Sequence, residues 1–406
     1  MTNTIKSILI VTVGTGTKGP QSNLAQGLVN TLKELRPRLF WLVPSASADS
    51  IAIADMVRES APQCCMFQPW TESQPFRQIE HHDDLFNCRT ALREVIQRSK
   101  VQLQQGERLL VNPTSGTKQM SVAAMLAALD EEIGEVVFTI GDRADGVVIT
   151  GTEQMKSFKT DVFFMERDLR TADELFRAGA FQAAAKILER YKADDRGAKA
   201  HFSALCLHEW QRLNHQKAAS HAARFSEPLS KHLKNLTNED DYSAAKVGDL
   251  LAGADELARW GDHEEALARY YRAAEQIAKT RLAQAFGIGY SCRRDDLLSI
   301  VDPKSNAQLF DDIRNGHPKP NLTLKLGWDI LGAAGDSMAE AYLSDRQLHD
   351  GLQQRNDGLY GHGQASVDSN LTRKVATRLR VLLKEHFPAV ADCWNTEHRP
   401  KSILRT

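Results

Sequence analysis

Two rhythms of apolar residues alternate through the first part of the chain. Short β-branched runs at Ile8–Val13, Leu39–Val43, Cys64–Phe67, Leu109–Val111 and Val136–Ile140 predict buried strands. Between them apolar positions recur at helical spacing. Leu24, Leu28, Leu32 and Leu35 form one stripe, and Leu85, Cys88, Leu92, Val95 and Ile96 form another. A further helix is expected from about Met120 to Leu129. This alternation implies an α/β domain built on a mainly parallel sheet with helices on both faces. Val147–Thr150 and Val162–Met165 read as a closing pair of strands, a hairpin.

After about residue 166 the strand rhythm stops, and Ala, Leu, Glu and Arg dominate. Two stretches resemble each other, Asp173–Phe181 and Asp255–His263. Each reads as a helix end, a glycine turn and a second helix. Two copies are too few for a solenoid. The polar stretch Asn235–Asp241 is the best linker candidate, and Asn315–Asn321, with its two prolines, reads as a loop. The expected organisation is an α/β domain over 1–165, an all-α connector over 166–245 and a second all-α domain over 246–406.

Composition narrows the function classes. At 42% hydrophobic and 25% charged residues the chain is that of an ordinary globular protein. A net charge of −1 advertises no global affinity for nucleic acid, although a local basic groove remains open. Six cysteines without a C-x-x-C pair read as reduced thiols of a cytoplasmic protein. The N-terminal residues lack the design of a signal peptide, and no apolar run reaches the roughly 20 residues of a membrane span.

Chemistry concentrates in three loops. Gly14-Thr15-Gly16-Thr17-Lys18-Gly19 follows the first strand and fits a dinucleotide fingerprint. The second strand, however, ends Val43-Pro44-Ser45 without the acid that would hold a ribose hydroxyl, so a nicotinamide cofactor is not expected. Asn112-Pro113-Thr114-Ser115-Gly116-Thr117-Lys118 follows the fourth strand and opens a helix. Hydroxyls and backbone N–H groups at a helix start, with a lysine beside them, suit a polyanionic nucleotide. The third stretch is Arg355-Asn356-Asp357-Gly358-Leu359-Tyr360-Gly361-His362. A histidine can move protons near neutral pH and an arginine can hold charge on phosphoryl oxygens, so this stretch suits RNA cleavage by an internal 2′-hydroxyl. Asn356 could hold the arginine or a substrate oxygen. Were the segment helical, Arg355 and His362 would share a face about 10 Å apart, and two copies could close a composite site.

Weaker signals have plainer readings. His81-His82-Asp83-Asp84 holds metal-ligand types, but adjacent side chains converge poorly on one ion, and an aspartate there suits a helix start. No metal is expected. Residues 371–406 hold eight Lys/Arg against three acids, a net +5 that either guides RNA or forms a solvated helix face. Trp210, Trp260, Trp328 and Trp394 read as core anchors.

The loop after the fourth strand and the Val13-Gly14-Thr15 turn together resemble the CARF domain of CRISPR-associated proteins, over roughly residues 5–165. That family's domain is a Rossmann-like dimer that binds cyclic oligoadenylates across its two-fold axis. The resemblance implies ligand contacts from Gly14, Thr15, Gly16, Thr17, Asn112, Ser115, Gly116, Thr117 and Lys118. The pattern Arg355-Asn356-x5-His362 is similar to the R-x4–6-H signature of HEPN ribonucleases, and Tyr271–Ala278 fits the first HEPN helix. Together they resemble the CARF–HEPN proteins of type III CRISPR systems, the Csm-six/Csx-one-like group.

The resemblance implies a homodimer in which cyclic oligoadenylate activates metal-independent cleavage of single-stranded RNA by Arg355, Asn356 and His362; the sequence does not distinguish a ring of four adenylates from one of six, and four is the expectation taken forward. The products would carry 2′,3′-cyclic phosphate ends. Beyond this allosteric activator no cofactor is expected. Two alternatives stay open: a sensing regulator with an inactive HEPN domain, and a ring nuclease that degrades its own activator.

Overall fold

The computed structural model describes residues 6–15, 21–144, 147–149, 151–240, 243–289, 292–357 and 366–405. It divides into two compact units, Met1–Arg167 and Asp168–Thr406.

The first unit runs β1 (Ser7–Val13), α1 (Gln21–Leu35), β2 (Leu39–Pro44), α2 (Ala48–Glu59), β3 (Met66–Phe67), α3 (Leu85–Val101), β4 (Arg108–Asn112), α4 (Lys118–Asp130) and β5 (Glu135–Ile140). A two-stranded ribbon, β6 (Arg143–Ala144) with β7 (Val147–Val148), leads to β8 (Gln154–Lys159) and α5 (Asp161–Arg177). The sheet order is β3-β2-β1-β4-β5-β8. All pairings are parallel except β5 with β8. Strand alternation sorts the core into two layers. Ile8 and Ile10 of β1 pack with Leu92 and Val95 of α3 and Ala124 of α4. Leu9, Val11 and Val13 pack with Leu28 and Leu32 of α1 and Ile53 of α2.

The expected closing hairpin is corrected. Val147 and Val148 form only one side of the short ribbon, and Val162–Met165 lies inside α5. Phe164, Leu169, Ala172 and Phe176 are buried at helical spacing, while Val162 and Phe163 of the run are exposed. The true closing strand is Gln154–Lys159. Its sequence is polar because it is an edge strand with most side chains exposed.

The second unit is helical. It begins within α5 and continues through α6 (Phe181–Leu188), α7 (Asp195–Gln211), α8 (His215–Ala222), α9 (Glu227–Asn238), α10 (Ala244–Arg259) and α11 (His263–Phe286). There follow α12 (Arg294–Leu298), α13 (Ala307–Asn315), α14 (Leu324–Ala333), α15 (Ser337–Ser344), α16 (Arg346–Asp357), α17 (Ser369–His386) and α18 (Pro388–Cys393). The two similar stretches are helix–glycine–helix corners, as their sequence implies. Gly179 and Gly261 take φ of +80° and +88°, where a side chain would be strained. The polar stretch at 235 begins inside α9 rather than after it, whereas Asn315–Asn321 starts at the last residue of α13 and is loop beyond it.

Trp210, Trp328 and Trp394 are buried anchors. Their indole N–H groups donate to Asp249, the Ala274 carbonyl and Asp255 respectively. The basic C-terminal region is partly consumed inside the fold. Arg399, 3% exposed, donates to Asp249 at 2.7 Å and to Glu256 at 2.6 Å, while Arg378 pairs with Asp345 and Arg380 with Asp255. Burial alone would raise the Asp249 carboxyl, but Arg399 and His215 overcome it and hold Asp249 far below the usual carboxylate range. Among the described residues no helix is long and apolar enough to cross a membrane.

Candidate functional site

Strand order reverses between β1 and β4, because the chain leaves β1 toward β2 on one side and returns to β4 on the other. Open α/β sheets bind ligands in the crevice at such a point. The loops after β1 and β4 meet there, backbone against backbone. The Gly14 N–H donates to the Ser115 carbonyl at 2.5 Å. A Cβ on Gly14 would stand 2.6 Å from that carbonyl oxygen, and one on Gly116 would stand 2.9 Å from both Met120 Cβ and Thr12 Oγ1. Real Cβ atoms do not approach so closely, so both glycines are required for the loops to touch.

The β4 loop is tied down on every side. Asn112 is fully buried, its Nδ2 donating to Thr139 Oγ1 at 3.0 Å and its Oδ1 accepting from the Thr114 N–H at 3.0 Å. The Thr139 N–H donates to Thr114 Oγ1 at 2.8 Å, and Ser121 Oγ donates to the Pro113 carbonyl at 2.6 Å. Thr117 is the N-cap of α4, accepting from the Met120 N–H at 3.2 Å and donating to the His82 carbonyl at 3.4 Å. Lys118 is therefore the first helical residue, exposed, with the positive end of the helix dipole behind it.

These loops form one side of a cleft of about 840 Å³, within the usual size of a small-molecule site. Gly14, Thr15, Ser115, Gly116, Thr117 and Lys118, all named by sequence, line it. Asn112 lies beneath the loop and positions it. Gly16 and Thr17 fall outside the described residues. Sequence reasoning missed further lining residues: Asn23, Gly27 and Thr31, which present one face of α1 at four-residue spacing, with Phe138 and Thr139 of β5 and Glu153. The spacing on α1 was readable, but Glu153 stands in a loop before an edge strand, where no periodicity marks it. Asp84 caps α3, accepting from the Phe86 and Asn87 N–H groups, and those bonds hold its carboxyl below the usual range. This accounts for the acid in the His81–Asp84 run.

In the helical unit, Leu348 and Leu352 are buried one turn apart on α16, and Arg355 continues their stripe at the helix end. Gly351 lets α16 press on α17, since a Cβ there would stand 2.7 Å from Val375 Cγ2. The Arg355 guanidinium lies over the Tyr271 ring of α11, 5.2 Å from its centroid. Tyr342 stacks on Trp328 at 4.0 Å and meets the His349 ring at 4.6 Å. Burial first, and then the neighbouring Tyr271, Asp329 and Asp345, push the Tyr342 hydroxyl pKa up. Arg355 thus lies over the Tyr271 ring at the C-terminal end of a helix, where a cation is favoured. His362 lies outside the described residues, as does the Asn356 side chain.

Residues 235–385 match the family model of the Csm6 HEPN domain, and this segment contains Arg355, Tyr271 and α14. No curated protein sequence matches the chain. Among solved structures, Csm6 of Enterococcus italicus bound to cyclic hexa-2′-fluoro-hexa-dAMP superposes with a TM-score of 0.67 at 13% identity, covering 95% of each chain. The chain is thus similar to Csm6 in fold along nearly its whole length, and in family over 235–385.

Proposed function

We propose that this Csm6-like chain is a cyclic-oligoadenylate-activated, metal-independent endoribonuclease of type III CRISPR defence. The observation that carries the reading is a conjunction in one chain. A switch-point cleft with paired glycine loops and an exposed lysine at a helix start accompanies a HEPN-family segment that holds Arg355 against Tyr271. The relative from Enterococcus italicus was captured with a cyclic hexa-adenylate analogue, which favours the same ligand class here. The sequence expectation is four adenylates, so the two ring sizes are the ones to set against each other.

The activator lies between the clefts of two copies, with its phosphates against Ser115–Lys118. To move a resting dimer from about 1:99 to 99:1 in favour of the active arrangement, it must bind that arrangement roughly 10⁴-fold more tightly. In the HEPN site the substrate 2′-oxygen attacks the adjacent phosphorus, and the bond to the 5′-oxygen breaks. His362 takes or gives the proton in transit, and Arg355 stabilises the charge on the phosphoryl oxygens. The products are a 2′,3′-cyclic phosphate and a 5′-hydroxyl end.

The test is cleavage of fluorescent single-stranded RNA in EDTA, with cyclic tetra- or hexa-adenylate, beside His362→Ala. Cleavage by wild type alone, and with one ring size, supports the reading and names the activator. Equal cleavage by His362→Ala, indifferent to either ring, would sink it.

A further inference from the structure

The cleft is lined by two opposite charges, Lys118 at the start of α4 and Glu153 against Asn30 and Gly27 of α1. The helix start and Lys118 attract phosphate. Glu153 is the one carboxylate among the described lining residues. A carboxylate beside a phosphate is repulsive, so the phosphates cannot lie against both. Glu153 is also fixed rather than adrift. Its Oε2 accepts from the Gly151 N–H at 2.7 Å, and its Oε1 accepts from Asn30 Nδ2 at 3.4 Å. Gly27 makes room for it, since a Cβ there would stand 3.2 Å from Oε1. Two carboxylate oxygens offer about four acceptor positions, so the two bonds leave capacity for a ligand donor.

The group that docks at Glu153 must therefore donate hydrogen bonds and carry no negative charge. Its surroundings select further. Leu24, Leu28, Phe138 and Val148 line the same cleft, and apolar side chains suit the faces of a purine better than a hydroxylated ribose. We propose that Glu153 is the base-reading residue of this cleft, accepting from the 6-amino group of an adenine whose phosphate lies at Lys118. The proposal rests on the reading of the cleft as a cyclic-oligoadenylate site, and it fixes which way each nucleotide points.

The test measures binding of full-length protein to three synthetic rings of the activating size. These are the adenylate ring, a ring of purine ribonucleotides lacking the 6-amino group, and a 2′-deoxyadenylate ring. Each is titrated against wild type, Glu153→Gln and Glu153→Ala, with thermal melts to confirm that the variants fold. Wild type is expected to lose at least about tenfold in affinity when the 6-amino group is removed. Glu153→Ala should bind the adenylate and purine rings alike, and Glu153→Gln, which retains an acceptor oxygen, should keep part of the difference. If wild type binds the adenylate and purine rings equally, the assignment of Glu153 is overturned while the cleft's ligand class stands. Coupling of Glu153 to the 2′-hydroxyl instead would overturn the base-reading role in favour of a ribose contact. If wild type binds no ring at all, the reading of the cleft fails and takes this proposal with it.

Discussion

The two units treat buried polarity in opposite ways. In the α/β unit the buried polar residues described are neutral, among them Thr12, Thr31, Ser50, Asn112 and Thr139, and the buried Glu107 carboxylate is met by the half-buried Arg38 at 2.6 Å. In the helical unit they include Asp173, Asp249, Glu256, Lys279 and Arg399. A parallel sheet joins its strands through backbone bonds, so interior side chains need only tie loops to the rim, as Asn112 does. Helices satisfy their own backbones and share none, so their cross-ties must be side chains. Arg399 joins Asp249 and Glu256 across more than a hundred residues of sequence. The candidate sites follow the same division. The β1 and β4 loops of the cleft are glycines, hydroxyls and backbone, with Lys118 beside them, whereas the proposed helical site rests on few side chains, Arg355 first.

The sharpest test of that contrast is Arg355→Ala. Removing the group that holds charge on the phosphoryl oxygens should lower ring-activated RNA cleavage about 10²–10³-fold. Ring affinity, read by calorimetry on the same protein, should stay within roughly twofold of wild type, because the α/β cleft is intact. Residual cleavage near the wild-type rate would remove the helical unit's claim to the chemistry. Tyr271→Phe keeps the aromatic face beneath the guanidinium and should retain most activity.

Next comes Arg399→Ala. It leaves Asp249 and Glu256 buried without their cation, and the expected loss is about 3–5 kcal/mol in denaturant unfolding of the helical unit. A loss below about 1 kcal/mol would mean that this pair is solvated in solution, and the contrast between the two interiors would weaken.

What the sequence showed follows from the range of each interaction. The strand–helix alternation, the two loops at strand ends, the helix start at Lys118 and the corners at Gly179 and Gly261 are local patterns, and each was readable; that the two loops touch, Gly14 on Ser115, is a long-range contact the sequence did not show. β8 was missed because an exposed edge strand carries no apolar rhythm, and Val162–Met165 was misread because a short apolar run fits strand or helix equally. The role of Arg399 was hidden because its partners are distant in sequence, which turned a buried tie into an apparent surface charge. Glu153 stood in an unpatterned loop, and only folding brings it into the same cleft as Lys118.

Acid separates the units by a smaller effect. His201, His221 and His232 are held below their ordinary pKa, near 6.5, chiefly by burial. Lys192 beside His201, Lys217 beside His221, and His398 and Arg399 beside His232 act in the same direction, opposed by Glu189, Glu209 and Asp249 respectively. A histidine lowered in the fold binds its proton more readily when unfolded. Its contribution is present above about 6.5, the unfolded value, and is lost as the pH falls from there through the lowered folded value. The helical unit should therefore lose protection between pH 7 and 5. In the α/β unit the lowered carboxyls of Asp84, Glu107 and Glu131 keep their contribution until the carboxylate range is reached. Hydrogen exchange resolved by peptide at the two pH values reads each unit separately, and equal loss in both would break the comparison.

The smallest expected effect bears on the cleft itself. The Thr117 hydroxyl already accepts from the Met120 N–H and donates to the His82 carbonyl. Thr117→Ala should thus cost about 1 kcal/mol of stability as a lost N-cap. Thr117→Ser, which keeps the oxygen, should restore most of it. Ring affinity should change by less than about threefold, because the proposed phosphate contacts, backbone N–H donors and Lys118, are left in place by the substitution. Were affinity to fall more than about tenfold with only that loss of stability, the hydroxyl itself would be a ligand group. The phosphate contacts of the cleft would then include a hydroxyl side chain as well as backbone, and the difference between the two units would lie in their interiors alone.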